Sequence, residues 1–314
     1  MPPWSHVLTL VTGASGYVGA ALAPRLRRDG HSVRGFARSA ERVAAAGTPL
    51  DELVLGDADS GAGLAAALDG VEVAYYLIHA MEGVAGGGFE ARELAQAERF
   101  ADAARAAGVR RVVFLGGLVP QDDPPSRHLA SRLAVERTLL AAAPESIALR
   151  ASIVIGARSR SFRLLVRLLD RLPLLALPAW RRNRTRPIDG RDLLELLARA
   201  ATLDGAHAGR SWDVAGPDEL SYGELLARLA DAMLIERPRI GLSLNLTPLA
   251  SVLAAVVAGE DVGLVEPLME SLEHDLLPRD EDAAVTFGVR LHTFDAAVER
   301  ALRELEALET VRAR

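Results

Sequence analysis

Val7-Leu8-Thr9-Leu10-Val11-Thr12-Gly13-Ala14-Ser15-Gly16-Tyr17-Val18-Gly19 is the stretch that decides the fold. A short apolar, β-prone run leads into three glycines spaced G-x-x-G-x-x-G, and an Ala/Leu-rich segment from Ala20 to Leu26 follows with helical character. Strand, glycine turn and helix together make a cradle for the phosphates of a nucleotide. Gly13 allows the tight turn, Gly16 lets backbone approach a pyrophosphate, and Gly19 lets the helix pack close to the strand. The pyrophosphate then rests on unpaired N–H groups at the positive end of the helix dipole. Gly13, Ser15, Gly16, Tyr17, Val18 and Gly19 are therefore the first candidate cofactor contacts.

Outward from this motif, strands and helices alternate. Ser32–Ala37, Glu52–Leu55, Val73–Ile78, Arg111–Leu115 and Ile147–Arg150 read as strands, with helical stretches at Ala62–Leu68, Phe89–Ala107 and His128–Ala142 between them. The strands are continuous apolar runs, as expected of a parallel sheet covered on both faces. The predicted class is α/β, a doubly wound parallel sheet with ligands at the carboxyl ends of the strands. After Arg150 the rhythm loosens. Phe162–Leu172 is an amphipathic helix, Asp192–Ala201 a helix, Ser211–Val214 a strand, and Ser221 with Glu224 forms a capping box for a helix to Met233. The last helix, Phe294–Leu308, carries Glu/Arg pairs at helical spacing and reads as a solvated surface helix. Residues 1–156 are expected to form the core, completed by about 186–215; about 157–185 and 216–314 form a smaller, mostly helical substrate-side domain.

Composition narrows the chemistry. The 314 residues contain no cysteine, and all 36 positive charges are arginine. Thiolate sites, a cysteine nucleophile and any lysine acid, base or Schiff base are excluded; arginine stays charged and replaces none of them. A net charge of -6 argues against nucleic acid as a partner. The seven histidines show no metal-ligand spacing, so no metal is expected. Neither a signal peptide nor a bilayer-spanning stretch is evident, so a cytoplasmic protein without a membrane partner is expected.

Several residues bear on the cofactor. The second strand ends at Phe36-Ala37-Arg38-Ser39, where an acidic residue would serve a ribose 2′-hydroxyl. Arg38, with Ser39 beside it, suits the 2′-phosphate of NADP instead, and plain NAD less. Asp57 follows the third strand as an acceptor near the adenine edge or as a turn-forming aspartate. His79, after the fourth strand, stands where a nicotinamide should lie, as a ligand contact or an ordinary loop histidine. Gly83 to Gly88, with four glycines, is consistent with a lid. The basic run Trp180-Arg181-Arg182-Asn183-Arg184-Thr185-Arg186 is either a seat for an anionic substrate or a solvated face.

The chain resembles the extended and atypical short-chain dehydrogenase/reductase superfamily, with NmrA-like and nucleoside-diphosphate-sugar-epimerase-like oxidoreductases nearest. The resemblance rests on Thr12–Gly19, Gly56-Asp57, Leu149–Gly156, Pro187–Leu193 and Trp212–Pro217, in that order along the chain. It implies a Rossmann core and a nicotinamide cofactor. It also implies a serine at the end of the fifth strand, with a tyrosine and a lysine four apart on the next helix. Here the strand ends Phe114-Leu115-Gly116-Gly117-Leu118, and alignment puts His128 and Arg132 in the tyrosine and lysine positions. At i and i+4 these two share a helix face, and Arg132 disfavours a protonated His128. His128 is then the candidate proton donor and Arg132 a candidate ribose contact. Two readings follow: an NADP(H)-dependent oxidoreductase acting on an unidentified small molecule, or a non-catalytic NADP(H)-binding redox sensor of NmrA-like type with a protein partner. A sugar-nucleotide epimerase stands third, since it too would use the missing tyrosine and lysine.

Overall fold

The computed structural model describes residues 6–78, 89–121, 124–236, 238–241 and 269–308. Seven parallel strands form the central sheet: β1 (Leu8–Thr12), β2 (Ser32–Ala37), β3 (Glu52–Leu55), β4 (Val73–Tyr76), β5 (Arg111–Gly117), β6 (Ile147–Ala151) and β7 (Arg210–Val214). Their order across the sheet is β7-β6-β5-β4-β1-β2-β3. The order reverses between β1 and β4, and such a switch point opens a crevice at the carboxyl ends of the strands.

The helices are α1 (Tyr17–Arg28), α2 (Ala40–Ala46), α3 (Leu64–Leu68), α4 (Phe89–Ala106), α5 (Arg127–Leu140), α6 (Arg160–Arg171), α7 (Gly190–Ala200), α8 (Tyr222–Ala232), α9 (Ala283–Thr286) and α10 (Phe294–Leu308). Alternation along each strand sends neighbouring residues to opposite faces. Val11, Tyr75, Val113 and Leu149 join a core with Leu22 and Leu26 of α1 and Leu193, Leu196 and Leu197 of α7. Leu10, Ala74, Val112 and Ala148 join the opposite core, with Leu64, Phe100 and Val135. Both faces being covered explains why the strands read as unbroken apolar runs.

One buried cation ties distant segments together. Arg111 at the start of β5 is fully buried, and its five N–H donors all find acceptors. Nη1 donates to the carbonyls of Ala200 (2.8 Å) and Ala201 (2.9 Å), at the end of α7. Nη2 donates to the Leu203 carbonyl and to Glu145 Oε2, both at 2.7 Å, and Nε to the Glu145 carbonyl at 3.1 Å. A helix end leaves carbonyls without partners, and this guanidinium takes them up.

A third core lies beyond the sheet. Phe162, Leu164 and Leu169 of α6 pack with Trp180, Leu225, Leu226 and Leu229 of α8, and with Phe294, Val298 and Ala301 of α10. This corrects the reading of the last helix as a solvated one. Its Arg303–Glu299 pair does face outward, but Arg300 reaches inward to the buried Asp189 (2.5 Å) as well as to Glu304, and Phe294, Ala297, Val298, Ala301 and Leu305 are buried. The capping box at Ser221 and Glu224 forms with both halves present. Strand β4 stops at Tyr76, short of the expected Ile78, while β5 runs two residues further, to Gly117.

Candidate functional site

The site begins where β1 meets β4. The Thr12 hydroxyl donates to the Tyr75 carbonyl (3.0 Å) and accepts from the Leu77 N–H (2.9 Å), fixing both strand ends at the switch point. Gly13 follows with φ +66°, a left-handed conformation that favours glycine, and a Cβ there would sit 3.0 Å from the Leu77 carbonyl oxygen. The Gly16 N–H returns to the Gly13 carbonyl at 2.8 Å, and Gly16 caps α1 without any side chain over the helix end. The first-turn N–H groups of α1 are thereby left for an anion. A Cβ at Gly19 would overlap the Gly13 carbonyl oxygen, so only glycine lets α1 start this close to β1. A dinucleotide pyrophosphate fits this cradle.

Tyr17 and Val18 border the same cavity with Ser15, yet the Tyr17 ring does a second job. Its oxygen lies so close over Gly156 and Gly190 that a Cβ at either would collide with it. Burial pushes its phenol up to about 12, so it is a neutral hydroxyl wedged between α1 and the segments after β6 and before α7.

At the other end of the cradle, Arg38 and Arg42 line the cavity and are exposed to solvent. Ser39 caps α2, accepting from the Arg42 N–H (3.2 Å) and donating to Glu41 Oε2 (2.6 Å). Its hydroxyl is thus engaged within α2. Asp57 also borders the cavity, but one oxygen accepts from the Asp59 N–H (2.9 Å), and its own N–H pairs with the Ala62 carbonyl (2.9 Å). It is a turn-forming aspartate with one oxygen left over. Asp59 accepts from Arg92 Nε at 2.8 Å and from Gln96; the Arg92 guanidinium holds its carboxyl down at about 2.

The end of β5 is held from below. Arg132 is buried, and its Nη1 donates to Glu93 Oε1 (2.7 Å) while Nη2 donates to the Leu115 carbonyl (2.6 Å). The guanidinium stacks 4.6 Å from the Phe114 ring centre. Ser131 donates to the other Glu93 oxygen at 3.0 Å. Arg132 therefore lines the cavity with both terminal nitrogens bonded inside a clamp joining α4, α5 and β5. Glu93, the partner that makes this possible, gives no signal in sequence because it looks like any helical glutamate. His128 lies in the first turn of α5, which Ser126 caps by accepting from the Leu129 N–H. The His128 side chain, His79 and the glycines from Gly83 to Gly88 lie outside the described residues.

Three hydroxyls that sequence reading passed over meet at the cavity wall: Ser152 after β6, Thr185 in the basic run, and Tyr222 at the start of α8. Ser152 Oγ and Thr185 Oγ1 are 2.9 Å apart. Tyr222 is 3 % exposed; its hydroxyl lies beside Thr185 without full hydrogen-bond geometry, and burial pushes its pKa up. They come from segments more than 30 residues apart, so no local pattern announces them. The basic run itself is largely spent on structure. Arg184 pairs with Asp275 (2.7 Å) and Glu219 (2.8 Å), Arg186 with Glu281 (2.6 Å), and Trp180 is buried.

The cavity measures about 1380 Å³ and extends from the glycine cradle past the ends of β5 and β6 to α6 and α8. No helix among the described residues is long and apolar enough to cross a membrane.

Comparison with known proteins fits this geometry. Residues 13–152 match a family described as NAD(P)H-binding. A mitochondrial NADH dehydrogenase 1 alpha subcomplex subunit 9 from Arabidopsis thaliana is 26% identical over 132 residues, 42% of this chain; the match spans a third of that relative's length. A nucleoside-diphosphate-sugar epimerase from Staphylococcus aureus superposes with TM-score 0.72 at 16% identity, covering 93% of this chain and 99% of its own. A short-chain dehydrogenase/reductase superfamily protein from Agrobacterium tumefaciens with bound NAD gives 0.66 at 21%, covering 96% and 98%. A UDP-glucuronic acid 4-epimerase from Bacillus cereus, in complex with a fluorinated UDP-sugar and NAD, gives 0.71 at 16%, covering 96% and 100%. At these identities the structural likeness speaks for the fold. Sequence match, sheet order and glycine cradle agree: residues 13–152 resemble an NAD(P)H-binding domain, and the chain has the Rossmann-like α/β fold that these solved structures share.

Proposed function

We propose that the protein is an NADP(H)-dependent oxidoreductase acting on a small carbonyl compound. The observation that carries the cofactor half of this reading is the pair Arg38 and Arg42. Both line the cavity beside the end of β2, and neither makes an ion pair or side-chain hydrogen bond among the described residues. Two uncommitted guanidinium groups suit a 2′-phosphate, and no carboxylate stands at the end of β2 to reward a bare ribose diol. Bound there, a nicotinamide supplies hydride to a carbonyl carbon, whose oxygen must then take up a proton.

The chain's own groups do the rest. The clamp of Arg132, Glu93 and the Leu115 carbonyl fixes the end of β5, so Arg132 acts as a positioning residue. His128, one turn earlier on α5, is the proposed proton donor. Isothermal calorimetry should show NADPH bound more tightly than NADH. Arg38→Ala should narrow that gap by roughly 1–3 kcal/mol, the worth of a charge-assisted contact. Equal affinity of the wild type for both cofactors overturns the NADP assignment. Oxidation of NADPH across a panel of carbonyl compounds, abolished by Gly16→Asp, supports the enzyme. Tight binding with no turnover on any of them favours the sensor.

A further inference from the structure

The cavity is too large for one ligand. At about 1380 Å³ it exceeds the roughly 300–1,000 Å³ of an ordinary small-molecule site. Its two ends also differ in kind. The cradle end offers backbone N–H groups and arginines. The far end is walled by Leu165 and Leu168 of α6 and Leu172 just past its end, together with Trp180, Leu226 and Met269. Leu165 and Leu168 are three residues apart and share one face of that helix. Arg163, Arg167 and Arg171 of α6 are not part of the cavity wall. Among the described lining of this end the only cations are Arg158 and Arg160, both exposed to solvent.

Such a wall is ill-suited to the ligands of the epimerase neighbours. A UDP-sugar would bring a diphosphate, a pyrimidine and sugar hydroxyls against leucine side chains. Polar groups buried without partners are costly, and buried charge more so. Beyond Arg158, Ser159, Arg160 and Ser161 around the start of α6, and Ser271, the polar lining of this end is gathered in one place. Ser152 and Thr185 are hydrogen-bonded to each other, and the Tyr222 hydroxyl beside them lacks a fully formed hydrogen bond. Ser152 directly follows β6, whose last residue pairs with Gly117 at the end of β5. The hydroxyl cluster therefore stands at the seam between the dinucleotide end and the apolar end.

Resting on the oxidoreductase reading above, we infer that the substrate is a neutral carbonyl compound with a long alkyl body, its oxygen held by the Ser152–Thr185–Tyr222 hydroxyls and its chain laid along α6 and α8. Tyr222 supplies an O–H donor that burial keeps neutral. A donor of that kind polarises a carbonyl without a charge that the leucines would have to shelter. The alkyl body needs no polar partner and gains from each methylene removed from water.

The test is a binding series that does not depend on turnover. The full chain, saturated with NADP⁺, is titrated calorimetrically with straight 2-alkanones of increasing length and, separately, with UDP-glucose. Affinity should rise roughly three- to fourfold per added methylene until the chain fills the cavity, the transfer value of one CH₂. UDP-glucose should not compete. Leu168→Ala should weaken the longest ketone and leave the shortest unchanged. Tyr222→Phe should weaken every member by a common factor, roughly 2- to 12-fold for one neutral hydrogen bond, with the slope per methylene preserved. Affinity independent of chain length, or UDP-glucose binding more tightly than the ketones, overturns the inference. Ketones that bind with the expected slope but are never reduced by NADPH leave the substrate class standing and remove the oxidoreductase reading instead.

Discussion

The two ends of one cavity are built on opposite plans. The cradle end comes from a single stretch, Thr12–Gly19, whose shape is set by backbone: a left-handed Gly13, a Gly19 that admits no Cβ, and a helix start with no side chain over it. The α6 end comes from side chains contributed by α6, the Trp180 turn, α8 and Met269, which reach one place only after the chain has folded. Backbone geometry tolerates little variation and recognises something constant, a pyrophosphate. A wall of leucines constrains only size and polarity. A chain built this way can keep its cofactor fixed while its substrate end is free to vary.

The largest effect that bears on this contrast concerns the proton. His128 stands on α5 and Tyr222 on α8. Turnover in His128→Phe should fall by about 10²–10⁴-fold, the usual worth of general acid catalysis, with NADPH affinity nearly unchanged. Full activity in that variant would move the donor to the hydroxyl cluster, and Tyr222→Phe would then carry the loss.

Next comes the clamp under β5. Removing one partner of a buried ion pair strands the other charge, so Arg132→Met should lower stability by about 3–5 kcal/mol in urea unfolding. The double variant Arg132→Met/Glu93→Leu should recover most of that loss, because no buried charge is left unpaired. If Arg132→Met keeps its stability and loses NADPH affinity instead, the guanidinium serves the ribose directly and the cofactor end reaches as far as α5.

The smallest effect tests the cofactor end by pH. The Arg92 guanidinium beside Asp59 holds that carboxyl at about 2, below its ordinary 3.8. A depressed carboxylate stabilises the fold fully above its unfolded value and loses that contribution as pH falls through the folded one. The gap in stability between wild type and Asp59→Asn should be constant above about pH 5 and close between pH 4 and 2. Water reaches this pair, so the gap should be about 0.2–1 kcal/mol. A gap that persists unchanged at pH 2 shows that Asp59 acts through shape rather than charge.

The same contrast explains what could be read from the chain alone. Strand and helix positions and the glycine cradle follow from local rules: apolar runs, turn chemistry and the exclusion of a Cβ. Asp57 showed its double nature as acceptor and turn residue for the same reason. The α6 end obeys no local rule. Ser152, Thr185 and Tyr222 look ordinary in their own surroundings, and only tertiary packing makes them neighbours. Arg184 and Arg186 looked like an anion seat because their partners Glu219, Asp275 and Glu281 lie 35 to 95 residues further on. The last helix looked solvated because its charged pairs are conspicuous, while a stripe made partly of alanine is not.

Arg111 has a consequence for how the chain is made. Strand β5 carries this guanidinium into the interior, but three of its acceptors are the carbonyls of Ala200, Ala201 and Leu203. While a ribosome is still synthesising the segment after β6, those acceptors do not yet exist. A nascent chain ending near residue 156 would have to bury a cation with only Glu145 to meet it, at a cost of several kcal/mol. The sheet therefore cannot close in the order in which its strands emerge. It must wait for Leu203, and a fragment cut after β6 inherits the same deficit for as long as it exists.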